Sequence, residues 1–362
     1  MQRDVSYPSD RPADDHGTAP APLSVLDLTV VREGQEPAQA LRDTVALAGS
    51  AERHGFRRFW VAEHHSFPAS GSPAPAVLLA HLAGATDTIR LGSGGVMLTN
   101  HAPLVVAEQF GVLEALHPGR FDLGLGRNPG GLSTVAHALR RPPQDPGTDT
   151  FPSLVEEVLG FLGSGFPADH PYSRDRVHVV PAAPGLPVWL LGSGTTGAQV
   201  AARLGLPFAA AYHINPAQAL RAVDLYRSAF RPSAALPEPR VMVSVNVTCA
   251  PEAAEAARLA TSGAVMMMRA RQGAQSAVPG ADTAATLART PEERDFVDGW
   301  LGTVVHGTPA TVRAGLAELH SRTGADELML TSLIPDLAER ERSYALVAAE
   351  FGLSGPARQG CS

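Results

Sequence analysis

From Leu23 onward the chain alternates between two textures. Short β-branched or leucine-rich runs occur at Leu23–Val30, Arg58–Ala62, Ile89–Gly94, Phe121–Leu125, Val188–Leu191, Phe208–Ala211, Val241–Val247 and Glu327–Leu330. Between them, apolar residues recur at helical spacing. Ala38, Leu41, Val45 and Ala48 share one face, as do Val106, Phe110 and Leu113, and again Leu337, Tyr344, Val347 and Phe351. Apolar runs alternating with amphipathic helices predict parallel βαβ units covered on both faces. The eight runs favour a closed (β/α)8 TIM barrel of the α/β class over an open doubly wound sheet. Three segments are longer than the ~2–6 residues usual between α/β elements: Arg127–Thr150, Ser164–Leu186 and Arg269–Val305. Such insertions are expected at the C-terminal rim, where barrel active sites are built. Residues 1–22, rich in proline and aspartate, are expected to be a disordered tail. Residues 23–352 then form a single barrel domain, and residues 353–362 a C-terminal tail.

Composition narrows the chemistry. All 29 basic residues are arginine, which excludes a Schiff-base lysine, a pyridoxal enzyme and a phosphate loop ending in Gly-Lys-Ser/Thr. The net charge is −7 and no basic run is present, which argues against nucleic acid as a partner. Cys249 and Cys361 are too few and too far apart for a disulfide framework or a four-cysteine zinc site. No segment reads as a membrane span, and the opening residues lack the apolar core of a signal peptide, so a cytoplasmic location is expected.

Four motifs carry candidate chemistry. Trp60-Val61-Ala62-Glu63-His64-His65 closes the second apolar run. Adjacent side chains on a strand face opposite ways, so His64 and His65 cannot both face the barrel mouth, and a paired-histidine metal site is not expected. A histidine there can exchange protons near neutral pH, with Glu63 available to set its tautomer; the alternative is a histidine packed in a loop. In Leu91-Gly92-Ser93-Gly94-Gly95-Val96, glycines inside a strand point either to a flat ring lying against the backbone at Gly94 and Gly95 or to a bulge without a ligand. The run from Phe121 to Gly131 offers Arg127 as a planar guanidinium for a phosphate, or as a solvated side chain at a turn. In Val188–Ala198, Gly192, Gly194 and Gly197 satisfy G-x-G-x-x-G between a strand and a helix. No acid closes the next strand, where Tyr212, His213, Ile214 and Asn215 stand instead. That favours a phosphomonoester at Ser193, Gly194 and Thr195 over a dinucleotide. Together the motifs outline one mononucleotide site without naming its ring.

These stretches resemble the luciferase-like monooxygenase family of flavin-dependent barrel enzymes. The likeness is carried by AERHGFRRFWVAEHH (51–65), by residues 89–127, by PVWLLGSGTTGAQVAARLGLPFAAAYH (187–213), and by residues 23–28, 307–319 and 325–334. The resemblance implies a barrel that binds FMN without a covalent link, receives it reduced (FMNH2) from a separate flavin reductase, and uses O2 to oxygenate a small organic substrate. It implies that His64 assists proton transfer with Glu63 and His65 as neighbours. Gly94-Gly95 matches a non-proline cis peptide under the flavin ring, while Arg127 and Ser193–Thr195 match the phosphate grip. A homodimer is expected on the same ground, with helices near Pro75–Ala85 and Leu104–Leu116 as contacts, while the Ala-, Arg- and Pro-rich usage, which fits a GC-rich genome, points to a tailoring step in natural-product or antibiotic biosynthesis. Competing readings are a hydride-transfer enzyme using the deazaflavin F420, a flavin-binding protein without turnover, and a zinc hydrolase, the last disfavoured by the lack of further clustered ligands.

Overall fold

A computed structural model describes residues 17–128, 133–140, 149–288 and 290–355. Its strands are β1 (Leu23–Asp27), β2 (Arg58–Val61), β3 (Arg90–Ser93), β4 (Val96–Met97), β5 (Phe121–Gly126), β6 (Val188–Gly192), β7 (Phe208–Ala211), β8 (Val241–Cys249), β9 (Val305–Gly307) and β10 (Glu327–Thr331). All pair in parallel. Eight of them follow the order β1-β2-β3-β5-β6-β7-β8-β10, and β10 returns to β1 at Leu23↔Leu328, closing a (β/α)8 TIM barrel. These are the eight runs read from the sequence. The additional strands, β4 beside β5 and β9 beside β8, span two and three residues, too short for a period to register.

The covering helices show why a proline-rich chain folds so regularly. Pro37, Pro75, Pro103, Pro216 and Pro309 each open a helix, where the fixed φ is already helical and no amide is needed. Gly205, Gly324 and Gly352 close helices in the left-handed conformation. The long connection after β8 is itself structured. Helix Ala253–Arg271 and helix Pro291–Leu301 share a small core of Ala264, Val265, Met268, Ala284 and Val297 before the chain returns to the ring helix Pro309–Thr323.

Every second strand residue points into the barrel, and the interior is layered accordingly. At the N-terminal end lies a buried ionic layer. Arg58 Nη1 is 2.7 Å from Asp122 Oδ2 and its Nε is 2.9 Å from Glu327 Oε1, while Arg90 Nη2 is 2.6 Å from Asp122 Oδ1. Ser24 donates a further hydrogen bond to Glu327. Above this layer Trp60 and Trp189 meet edge to face at 5.8 Å, packed with Leu26, Ala209, Met242 and Met329. A Cβ on Gly92 would sit 2.4 Å from the Trp60 ring, and one on Gly124 would sit 2.0 Å from Ser93 O. The glycines on β3 and β5 thus vacate the volume that the indole occupies and let the two strands approach.

Residues 17–22 correct the expected tail. Thr18 N–H donates to Phe351 O at 2.8 Å, Ala19 and Ala21 are buried, and Pro22 O accepts from Leu328 N–H. The small alanines let this segment lie against the helix that ends at Phe351, so it is part of the fold. Leu353 likewise packs on the core. Residues 1–16 and 356–362, with the rest of both expected tails and Cys361, lie outside the described residues.

Burial opposes ionisation of Asp122, but Arg58 and Arg90 outweigh it and hold its pKa at about 2, down from 3.8. The stability this contributes is present above the ordinary carboxylate range and is lost as pH falls towards 2. Asp122→Asn should therefore lower the stability measured by urea denaturation at pH 7 by about 3–5 kcal/mol. The gap from the natural protein should narrow as pH falls from 4 towards 2; a gap independent of pH would contradict this role.

Candidate active site

The inward positions at the C-terminal ends of the strands converge on the barrel mouth. Past β2 the chain is held by Ala62 N–H to Asp27 O at 3.1 Å and His64 N–H to Ser72 O at 3.0 Å. The parity of Arg58, Trp60 and Ala62 carries on to His64, whose ring lies 5.5 Å from that of Phe67. Its Nδ1 is buried with no hydrogen-bond partner among the described residues. Burial lowers the pKa of His64, more than the field of Glu63 raises it, which favours the neutral imidazole.

Glu63 and His65 face the other way, and here the structure corrects the expected pairing. The Glu63 carboxylate engages His65 Nε2 at 2.6 Å and His101 Nε2 at 2.8 Å through Oε1, and Oε2 accepts from Met97 N–H at 3.0 Å. Glu63 therefore orients His65 and His101, and acts on His64 only through its charge, because neighbours on an extended chain diverge. Burial works to raise the Glu63 pKa, but the hydrogen bonds from His101, His65 and Met97 outweigh it, and the carboxylate stays ionised below its usual range. The expected lack of further clustered ligands is also corrected, since the three donor atoms lie within 4.8 Å of one another. Their 2.6 and 2.8 Å separations are those of hydrogen bonds, shorter than the roughly 3.3 Å between donors sharing a tetrahedral ion at ~2.0–2.1 Å.

The Gly94–Gly95 peptide is cis. Gly94 N–H donates to Val61 O at 2.8 Å. A Cβ on Gly95 would lie 2.8 Å from Gly124 O, and one on Gly94 would lie 2.5 Å from Leu26 Cδ1. Bare backbone thus forms a flat, half-exposed platform against β5. Arg127 follows β5 with its guanidinium half exposed and Nη1 3.3 Å from Asp149 Oδ2. Pairing of Gly126 with Leu191 brings Arg127 beside the end of β6, where Ser193 and Gly194 lead into helix Thr195–Leu204. That helix has no side-chain cap, so its first amides are free for an anion. Among the described residues nothing lies within 4 Å of a Cβ built on Gly194. Pro129, Gly130 and Gly131 of the Arg127 motif lie outside the described residues.

One further residue carries a signal that motif reading passed over. His213, two residues past β7, has Nδ1 2.7 Å from Ser244 Oγ, and its carbonyl accepts from Asn246 Nδ2 at 3.3 Å. Nearby, the partly buried Leu28, Phe67 and Leu333 pack on Val30, Ala69 and Met266 to form an apolar wall.

A family model described as luciferase-like monooxygenase matches residues 22–327. The chain belongs to that family. It is 41% identical over 325 residues to a luciferase-like monooxygenase of Escherichia coli (strain K12), covering 90% of this chain and 95% of that one. It is 35% identical over 331 residues to the N-acetyl-S-alkylcysteine monooxygenase of Bacillus subtilis (strain 168), covering 90% and 97%. The crystal structure of apo-MsnO8 superposes with a TM-score of 0.84 at 38% identity, covering 94% of this chain and 100% of that one. More distant structures share the fold alone. They include a 3,6-diketocamphane monooxygenase component of Pseudomonas putida in complex with FMN, at 20% identity and TM-score 0.67, and an F420-dependent secondary alcohol dehydrogenase, at 14% and 0.63.

In this luciferase-like monooxygenase the residues present fit a flavin mononucleotide. The uncapped helix and Arg127 suit a phosphate, the glycine platform suits a planar ring, and the buried Nδ1 of His64 lacks a partner among the described residues. The platform is also testable on the protein alone. Gly95→Ala sets a methyl against a backbone carbonyl and should cost about 1–3 kcal/mol in chemical denaturation, whereas Gly194→Ala, in open space, should leave stability near that of the natural chain. Equal effects would contradict the close approach.

Proposed function

We propose that the chain is the oxygenase of a two-component system, which takes reduced FMN from a separate reductase and uses O2 to oxygenate a small organic molecule. The reading is carried by the convergence of the uncapped Ser193–Thr195 turn, Arg127, the Gly94–Gly95 platform and the unpaired His64 Nδ1 on one barrel mouth. Reduced FMN, once bound, would supply the electrons that activate O2.

The protein's own groups do the rest. Ser193, Gly194 and Thr195 offer backbone N–H groups, and two hydroxyls, to the phosphate, and Arg127 exchanges Asp149 for it. Gly94 and Gly95 let the ring rest on backbone. His64, kept neutral by burial, has an Nδ1 free to accept a proton or return one at the reacting centre. Glu63, His65 and His101 hold the loop that presents His64. The wall of Leu28, Phe67 and Leu333 excludes water, which limits wasteful release of hydrogen peroxide. A tailoring step on a natural product falls within this proposal. F420-dependent hydride transfer is the competing reading, supported by the shared barrel of the F420 enzyme.

The protein is proposed to act as a homodimer. Val77 is 70% exposed on helix Pro75–Ala85, and Val105, Val112 and Leu116 are exposed on the neighbouring helix Pro103–Leu116, Leu116 at 67%. This apolar stripe on adjacent helices supports coverage by a second copy.

Two measurements follow. His64→Ala should keep FMN affinity within about threefold while lowering product per flavin oxidised roughly 10²–10⁴-fold, the range typical of lost acid–base catalysis, with hydrogen peroxide rising in step. Unchanged coupling would remove His64 from the chemistry. In size-exclusion chromatography with light scattering, Val112→Glu combined with Leu116→Glu should convert a dimer to a folded monomer; an unaltered mass would place any interface elsewhere.

A further inference from the structure

The mouth holds a second imidazole that the proposed oxygenation does not use. His213 stands in the turn that follows β7, where Tyr212 N–H folds back to Ala210 O, close enough to His64 to feel its charge, and it is fixed by the neighbouring strand, its backbone N–H donating to Ser244 O at 2.9 Å. Ser244 is buried on β8 and its Oγ lies 3.2 Å from Ala210 O. A carbonyl can only accept, so the single hydroxyl proton goes to Ala210. The Oγ lone pair then accepts from His213 Nδ1–H at 2.7 Å. This fixes the tautomer: Nδ1 carries the proton and Nε2 presents a lone pair. Among the described residues Nε2 has no recorded partner.

The surroundings keep that lone pair available. Burial, with a smaller contribution from nearby His64, holds the His213 pKa at about 4, so the ring stays neutral at any ordinary working pH. Among the described residues, the charges that act on the two rings are Glu63 and His65 on His64, and His64 on His213. No arginine field reaches either ring to attract an anion. Beside His64 stands the apolar wall of Leu28, Phe67 and Leu333.

We propose that His213 Nε2 is the polar anchor for the organic substrate, and that the substrate is an uncharged, mainly apolar molecule presenting one O–H or N–H donor to it. This deepens the oxygenase reading and rests on it for the meaning of "substrate". The recognition itself is independent of turnover. An anion is disfavoured because a neutral acceptor edge offers it no donor, and an ether because it leaves Nε2 buried without a partner.

A matched set of ligands tests this by binding alone, using 2-naphthol, 2-methoxynaphthalene and 2-naphthoate with the FMN-loaded protein, followed by calorimetry. 2-Naphthol is expected to bind at least ~10-fold tighter than the other two. His213→Asn keeps an amide donor for Ser244 but lacks the distal acceptor, and should reduce that preference to within about twofold while FMN affinity is retained. Nitrogen-15 histidine NMR of the apo protein should report a neutral Nδ1–H ring at His213, with Nε2 shifting on addition of 2-naphthol. Tighter binding of 2-naphthoate, full preference surviving in His213→Asn, or no binding of any probe at millimolar concentration would each overturn the proposal. Failure to bind FMN would instead sink the oxygenase reading. The same comparison on the apo protein would still decide the role of His213.

Discussion

Two tryptophans share the inside of one eight-stranded ring, and the rest of the molecule is arranged around that volume constraint. Trp60 and Trp189 fill the middle of the barrel edge to face; Gly92 on β3 leaves the space that the Trp60 ring takes, and Gly124 on β5 lets that strand come close to Ser93 O. A side chain at either glycine would collide with the indole or with the neighbouring backbone. The same economy continues upward, where Gly94 and Gly95 expose bare backbone at the mouth. What begins as packing at mid-barrel thus ends as a platform on which a planar ring can rest.

The interior divides by height. At the base, Arg58, Arg90, Asp122 and Glu327 satisfy one another in a buried network, where loss of a single member leaves a charge without a partner. At the middle, aromatic and aliphatic groups exclude water. At the top, two imidazoles are held below their ordinary basicity by burial, and each keeps one ring nitrogen without a partner among the described residues. A rigid, fully paired base and a mouth with unspent hydrogen-bonding capacity are what a ligand-binding barrel requires, because the strand ends are positioned before any ligand arrives.

Much of this was legible in the sequence, since eight short apolar runs separated by segments of helical period favour a closed ring over an open sheet. That His64 and His65 face opposite ways followed from strand periodicity; which of the two faces the mouth did not. What could not be read were partnerships across distance. His101 joins Glu63 from 38 residues away, out of an irregular turn with no period to flag it. His213 closes a stretch that carries the family likeness, but its meaning depends on Ser244, one strand over, which alternation along β7 cannot report. The packed segment at Ala19 and Ala21 was hidden for a related reason, because small residues among prolines look like a tail until the surface they cover is known.

Convergence of the strand ends on one mononucleotide is the central claim, and anaerobic titration with reduced FMN, run in parallel with reduced F420, tests it most directly. Saturable one-to-one binding of reduced FMN is expected, weakened at least ~10-fold in Arg127→Ala, with F420 binding much more loosely. Tight F420 binding without FMN binding, or FMN affinity indifferent to Arg127, would contradict it.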